Sequence, residues 1–117
     1  MNNLPIGKYG EDLACKFLVQ IGYRIIERNF RIRGGEIDII AKDGQTLVYV
    51  EVKTRNQKTF GTAEEAVTNL KVRFLERAAK FYRAKRKNLP ELERIDVVSV
   101  DLTSKVPTLK LTRNITL

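Results

Sequence analysis

The chain has no histidine, and that one gap removes much of the usual hydrolytic chemistry. Without imidazole there is no histidine-based nuclease mechanism, no Ser-His-Asp triad and no imidazole metal site. Cys15 is the single cysteine, so neither a disulfide nor a cysteine zinc site is available within the chain. No GxxxxGK(S/T) phosphate loop occurs, which excludes nucleotide hydrolysis of that type. No apolar run approaches the roughly 18–20 residues needed to cross a bilayer. The opening MNNLPIGKYG also lacks the basic-then-apolar layout of a signal peptide. The expectation is a cytoplasmic protein with no membrane partner. What is left for catalysis is carboxylate, lysine and a hard, oxygen-seeking metal ion.

At 117 residues, 43% hydrophobic and 31% charged, there is room for one core, so residues 1–117 are read as a single domain. Twenty-two basic residues against 14 acidic ones leave a net charge of +8. A field of that sign attracts polyanions, of which nucleic acid is the commonest inside cells. Ribosome association or plain solubility would give the same composition.

The informative stretch is Gly35 to Arg55, GEIDIIAKDGQTLVYVEVKTR. Two apolar runs, Ile37 to Ala41 and Leu47 to Val52, flank Asp43-Gly44, a strong hairpin signal when both turn residues take positive φ. That turn predicts Lys42 opposite Gln45, Asp38 opposite Tyr49 and Glu36 opposite Glu51. Alternation then puts Glu36, Asp38, Ile40, Leu47, Tyr49, Glu51 and Lys53 on one face. Ile37, Ile39, Val48, Val50 and Val52 form the other, which should be buried. Three carboxylates thus gather at the open end of the hairpin, with Asp38 diagonal to Glu51 at roughly 7–8 Å. Facing like charges destabilise a sheet unless something positive lies between them. Lys53 supplies part of that, and a divalent cation would supply more. A solvated strand end is the plainer alternative, and a bulged three-residue loop would send Asp38 to the other face.

Elsewhere, Pro5 to Ile21 is predicted as the first helix, with proline at its start and Gly22 as its stop. Ala14, Phe17, Leu18 and Ile21 make its apolar stripe. One turn back the stripe reaches Glu11, with Gly7 and Gly10 beside it to permit close backbone approach. Glu11 either points toward the sheet, at a cost in burial, or is a helix-start acid favoured by the macrodipole. Tyr23 to Ile32 reads as a strand, and Arg33-Gly34-Gly35 as a turn into the hairpin. After the hairpin, Lys53, Arg55 and Lys58 cluster in a polar loop suited to substrate contact. Thr62-Ala-Glu-Glu65 is a capping box opening a long helix, with Ala63, Ala66, Val67, Leu70, Phe74, Ala78 and Phe81 as its buried stripe. Lys71, near that stripe, can reach toward the sheet. Lys71 and Arg73 join Arg55 and Lys58 as candidate nucleic-acid contacts. Ile95 to Leu102 is a strand, paired with Leu109 to Thr112. The order α-β-β-β-α-β-β suggests a mixed α/β layer structure.

Asp38, then Glu51-Val52-Lys53 on the next strand, with Glu11 on a preceding helix, resembles the PD-(D/E)XK nuclease superfamily. More closely, G-x-x-G-E-x-x-A (Gly7 to Ala14), G-E-I-D (Gly35 to Asp38), V-E-V-K-T-R (Val50 to Arg55) and I-D-V-V (Ile95 to Val98) resemble the YraN-type family. That is a set of small, uncharacterised bacterial proteins read as endonucleases related to Holliday junction resolvases. The resemblance covers nearly the whole chain, with Ile37 standing where the superfamily name has proline. It implies a restriction-endonuclease-like αβββαβ core, a central mixed sheet flanked by helices. It also implies a metal-dependent endonuclease hydrolysing phosphodiester bonds in DNA, with branched or recombination intermediates among its substrates. Asp38, Glu51 and the Val52 carbonyl would bind Mg²⁺ or Mn²⁺, with Glu11 holding or tuning the metal from the helix side. Lys53 would orient or deprotonate the attacking water and offset transition-state charge. The hairpin register adds Glu36 as an outer partner of those ligands. Junction cutting would favour a symmetric homodimer. The alternatives are a non-catalytic nucleic-acid-binding module and an accessory protein docking on a partner in DNA processing.

Overall fold

A computed structural model of the chain describes residues 6–56 and 68–115. Its elements run α1 (Ile6–Gln20), β1 (Arg24–Ile32), β2 (Gly35–Asp43), β3 (Thr46–Arg55), α2 (Asn69–Ala84), β4 (Leu92–Asp101) and β5 (Thr108–Thr112), in the expected order. All five strands form one sheet in the order β1-β2-β3-β4-β5. Only β3 and β4 are parallel, and α2 lies in the crossover that a parallel pair requires. The mixed sheet with its two helices is an α/β fold consistent with a restriction-endonuclease-like core. No described helix is long and apolar enough to cross a membrane.

The helices pack on opposite faces. Ala14 and Leu18 of α1 sit among Ile39, Ala41, Val48, Val50, Val98 and Val100. Leu75, Ala78, Ala79 and Tyr82 of α2 sit among Ile37, Ile40, Leu47 and Tyr49. Because both faces of β2 and β3 are covered, these strands read as nearly unbroken apolar runs. Each such side chain, fully buried, contributes about 1.5–3 kcal/mol, so the central strands are the firmest part of the fold.

The hairpin departs from its predicted register. Asp43 pairs with Thr46 and Ile40 with Tyr49, two positions away from the expected pairing. The turn falls on Gly44-Gln45, where only Gly44 has positive φ (59°), sparing any side-chain-bearing residue that conformation. A two-residue slip preserves which face each residue occupies. It separates Glu36 from Glu51, however, and removes Asp38 from Tyr49. A second departure is that Ile37 packs with Ile40 under α2, not with Ile39. Strand alternation therefore breaks around Asp38. The β2–β3 ladder is paired only from Ile39–Val50 to the turn, and beyond that point the strands part.

α1 buries Gly10, Ala14 and Leu18, while Ile21 is exposed, contrary to the expected stripe. Gly22, at φ 103°, ends the helix as expected. The two glycines beside Glu11 differ. A Cβ at Gly10 would collide with the Thr54 side chain, whereas Gly7 faces open space. Gly10 alone is the close-approach residue, and it brings α1 down onto β3.

In α2 the expected stripe is displaced. Thr68 caps the described helix, its hydroxyl accepting from the Lys71 amide at 3.2 Å. The Thr62 capping box, Ala63, Ala66, Val67, Lys58 and Pro5 lie outside the described residues. Val72, Leu75, Ala78, Ala79 and Tyr82 are buried, while Leu70, Phe74 and Phe81 are 58%, 37% and 44% exposed. Both sets recur at helical spacing, so periodicity could not choose between them. Tyr82 decides it by meeting Phe30 edge-on at 5.1 Å beneath the sheet.

Candidate active site

Where β2 and β3 part, the Asp38 carboxylate substitutes for the missing ladder. Its Oδ2 accepts from the Val52 amide at 2.8 Å. That bond turns Asp38 toward Glu51, and the two carboxyl groups come within hydrogen-bonding reach of each other. Glu51 is only 2% exposed. Its Oε1 is buried, and no donor among the described residues reaches it. A buried acceptor beside a half-buried carboxylate calls for a positive species between them, either a shared proton or a cation. Burial first, then the Asp38 charge, pushes the Glu51 carboxyl up to about 7. Burial likewise raises Asp38, against the pull of the Val52 amide.

Two amines stand on the other oxygen. Lys53 Nζ is 3.9 Å and Lys71 Nζ 3.5 Å from Glu51 Oε2. Lys71 also donates to Glu36 Oε1 at 3.3 Å. Burial would lower the Lys71 pKa, but Glu51 and Glu36 outweigh it and hold the ammonium charged. Glu36, expected to face Glu51 directly, thus reaches it through Lys71.

α1 supplies Glu11, set at the rim of the same cavity by the Gly10–Thr54 contact. Burial and the Asp38 charge raise its pKa. Arg28 lies 3.6 Å from Glu11 and bonds the adjoining Asp12 at 2.8 Å. Asn29, in a left-handed conformation (φ 54°) in the middle of β1, hydrogen-bonds the Glu11 carboxyl. Sequence reading missed Arg28, Asn29 and Thr54 as site residues. A usable signal was present at Asn29, since asparagine is among the few residues that tolerate left-handed backbone.

The cavity of about 280 Å³ is open to solvent and gathers Glu11, Asp38, Glu51, Val52, Lys53 and Lys71. Among the described residues no three acidic groups close in to hold an ion unaided. The Asp38–Glu51 pair with its orphaned oxygen nonetheless fits Mg²⁺ or Mn²⁺. Mg²⁺ characteristically takes one or two carboxylates and keeps its waters. Arg55, expected in the polar loop, is instead the last residue of β3 and lies beyond the cavity, 3.9 Å from Asp101. Arg73 is exposed on α2, beside Glu76, Arg77 and Lys80.

Asp96, the other buried carboxylate among the described residues, provides the contrast. It is 0% exposed, yet it accepts from Tyr23 Oη (2.8 Å), Arg94 Nε (2.9 Å) and the Asn114 amide (2.9 Å). Arg94 continues to Asp43 at 2.6 Å, tying the hairpin tip to β4. Every oxygen of Asp96 is satisfied and serves structure, whereas Glu51 keeps an unmet oxygen at a cavity.

The family model described as "Uncharacterised protein family UPF0102" matches residues 10–100. A UPF0102 protein of Geobacter metallireducens is 45% identical over 107 residues, covering 92% of this chain and 88% of that protein. One from Caldicellulosiruptor saccharolyticus is 46% identical over 105 residues (90% and 89%). One from Symbiobacterium thermophilum reaches 52% over 96 residues (82% and 81%). None of these names states an activity.

Proposed function

The chain belongs to the uncharacterised protein family UPF0102, and from the geometry of its carboxylate fork we propose that it is a metal-dependent endonuclease acting on DNA in the cytoplasm. The supporting observation is the buried Glu51 Oε1, without a donor, beside Asp38 and flanked by two amines. Asp38 and Glu51 would hold Mg²⁺ or Mn²⁺, with the Val52 carbonyl available beside them. Bound there, the ion supplies Lewis-acid polarisation of a phosphoryl oxygen and a more acidic water. Lys53 orients the attacking water and sets its charge beside the developing negative charge on phosphorus. Lys71 adds a second cation from the opposite helix. Glu11, steadied by Arg28 and Asn29, accepts a hydrogen bond from water at the cavity rim. The net charge of +8 draws the polyanion in. Nicking both strands of a branched intermediate would take two such sites, hence a symmetric pair of chains.

A nucleic-acid-binding module that does not cut is the second reading. It is favoured by the lack of a third converging acid among the described residues. A panel of linear, single-stranded, flapped and four-way substrates with Mg²⁺ and Mn²⁺ separates the two. The nuclease cuts at least one of them, and Asp38→Asn and Lys53→Ala abolish cutting while binding persists. Cleavage that survives either substitution places the chemistry elsewhere.

A further inference from the structure

A second hollow adjoins the carboxylate fork. It measures about 250 Å³ and lies between the β1–β2 turn and α2. Arg31, Gly34, Gly35, Glu36, Lys71 and Phe74 line it. Lys71 belongs to both cavities, so whatever occupies the hollow sits one side chain away from Glu51. Phe74 is 37% exposed, and its ring has no aromatic or cation–π partner among the described residues. The glycine pair packs bare backbone against α2, at the Phe74 carbonyl and the Arg77 side chain. Gly34 takes φ 80°, and a Cβ on Gly35 would lie 2.6 Å from the Phe74 carbonyl oxygen. Turn and helix are thereby locked together at the hollow. Arg77 Nη1 donates to the Gly34 carbonyl at 3.3 Å, adding a third cation beside Arg31 and Lys71.

We propose that this hollow seats one unpaired nucleobase of the strand whose phosphate lies at the carboxylate fork, stacked on Phe74. An exposed aromatic face beside Arg31, Lys71 and Arg77, three cations against the one carboxylate of Glu36 (3.4 Å from Arg31 and 3.3 Å from Lys71), matches a base with its attached phosphates, because every base offers a π-face and the backbone brings negative charge. A second copy of this chain is disfavoured by the same cations and by the net charge of +8. Inside a duplex both faces of a base are covered by its neighbours, so the seat takes only a base that has left the stack. The substrate class is therefore nucleic acid with an unpaired nucleotide beside the cut, such as a flap, gap or branch point. The inference rests on reading the fork as a phosphodiester site.

The test is binding without divalent metal, where no cutting intervenes. The probes are a duplex with a single-stranded arm carrying 2-aminopurine at the branch, and its fully paired counterpart. Phe74→Ala and Phe74→Leu are expected to weaken binding of the armed probe about 10-fold and to lose the 2-aminopurine quenching, while Phe74→Tyr keeps both. The paired probe should change by no more than about twofold in every variant. Leucine preserves apolar volume without a π-face, so armed binding retained by Phe74→Leu overturns the proposal. Equal losses on both probes, no loss on either, or a changed oligomeric mass in Phe74→Ala overturn it too. Metal-dependent cutting that is indifferent to Phe74 removes the base seat and leaves the nuclease reading standing. Phe74-dependent armed binding with no cutting in Mg²⁺ or Mn²⁺ does the reverse.

Discussion

Replacing Glu51 by glutamine should make the metal-free protein more stable at alkaline pH, although it removes a residue of the proposed site. The carboxyl rises from 4.5 to about 7 on folding, first by burial and then by the Asp38 charge. A folded state that holds a proton more tightly than the unfolded chain loses stability as pH climbs through that interval. The loss is complete above about pH 7. At about 1.4 kcal/mol for each tenfold change in proton affinity, it comes to about 3–4 kcal/mol. Asp38 shares the proton, and glutamine forfeits the contacts to Lys53 and Lys71, so the net gain for Glu51→Gln at pH 8 is about 1–2 kcal/mol. For a domain of this size that is roughly 4–8 °C in Tm. At pH 5 the wild-type carboxyl is largely protonated and the advantage should nearly vanish. Thermal melts of both proteins in chelator at pH 5 and pH 8 measure it. Adding Mg²⁺ at about ten times its Kd should then raise the wild-type stability by about 1.4 kcal/mol and leave the variant unmoved. A wild type more stable than Glu51→Gln at pH 8, or a difference that ignores pH, would refute the buried-pair account.

Two further perturbations follow from packing. Gly10→Ala meets Thr54 and should cost about 1–3 kcal/mol, measured by urea unfolding, with part of the loss recovered in Gly10→Ala/Thr54→Ala. Gly7→Ala faces open space and should be neutral or stabilising by up to about 1 kcal/mol. Equal costs at the two glycines would contradict the docking of α1. Asp96→Ala strands the Arg94 charge and should destabilise by about 3–5 kcal/mol at neutral pH, by the same measurement. A loss under about 1 kcal/mol would show that this carboxylate is not the structural anchor its bonds imply.

The order of elements, and the faces of the central strands from Ile39 through Val52, were legible because period-two and helical patterns are local properties, whereas the face of Ile37 was not. The hairpin was located by Asp43-Gly44 but closed one residue later, since Gly44 alone takes the positive φ. The slip was an even number, so the meeting of Asp38 and Glu51 survived it. Their actual route to contact, a broken alternation with Asp38 capturing the Val52 amide, had no counterpart in the sequence pattern. The face of α2 was only partly legible because the expected Leu70-Phe74-Ala78-Phe81 and the buried Leu75-Ala78-Ala79-Tyr82 are equally periodic and share Ala78, and only the space beneath the sheet distinguishes them. Lys71 was expected near the sheet but not as the bridge from Glu36 to Glu51, which depends on the helix's rotation.

The polar knot around Asp96 bears on how the chain comes together in time. Its members are Tyr23, Asp43, Arg94, Arg113 and Asn114, and the Arg113 bond to Tyr23 joins positions 90 residues apart. Closing so wide a loop is entropically slow. Until Asn114 leaves the ribosome, the nascent sheet must hold Asp96 one donor short. The stretch that follows all five described strands is thus the latch, and a chain cut before Arg113 would carry a complete fork on an unfastened frame.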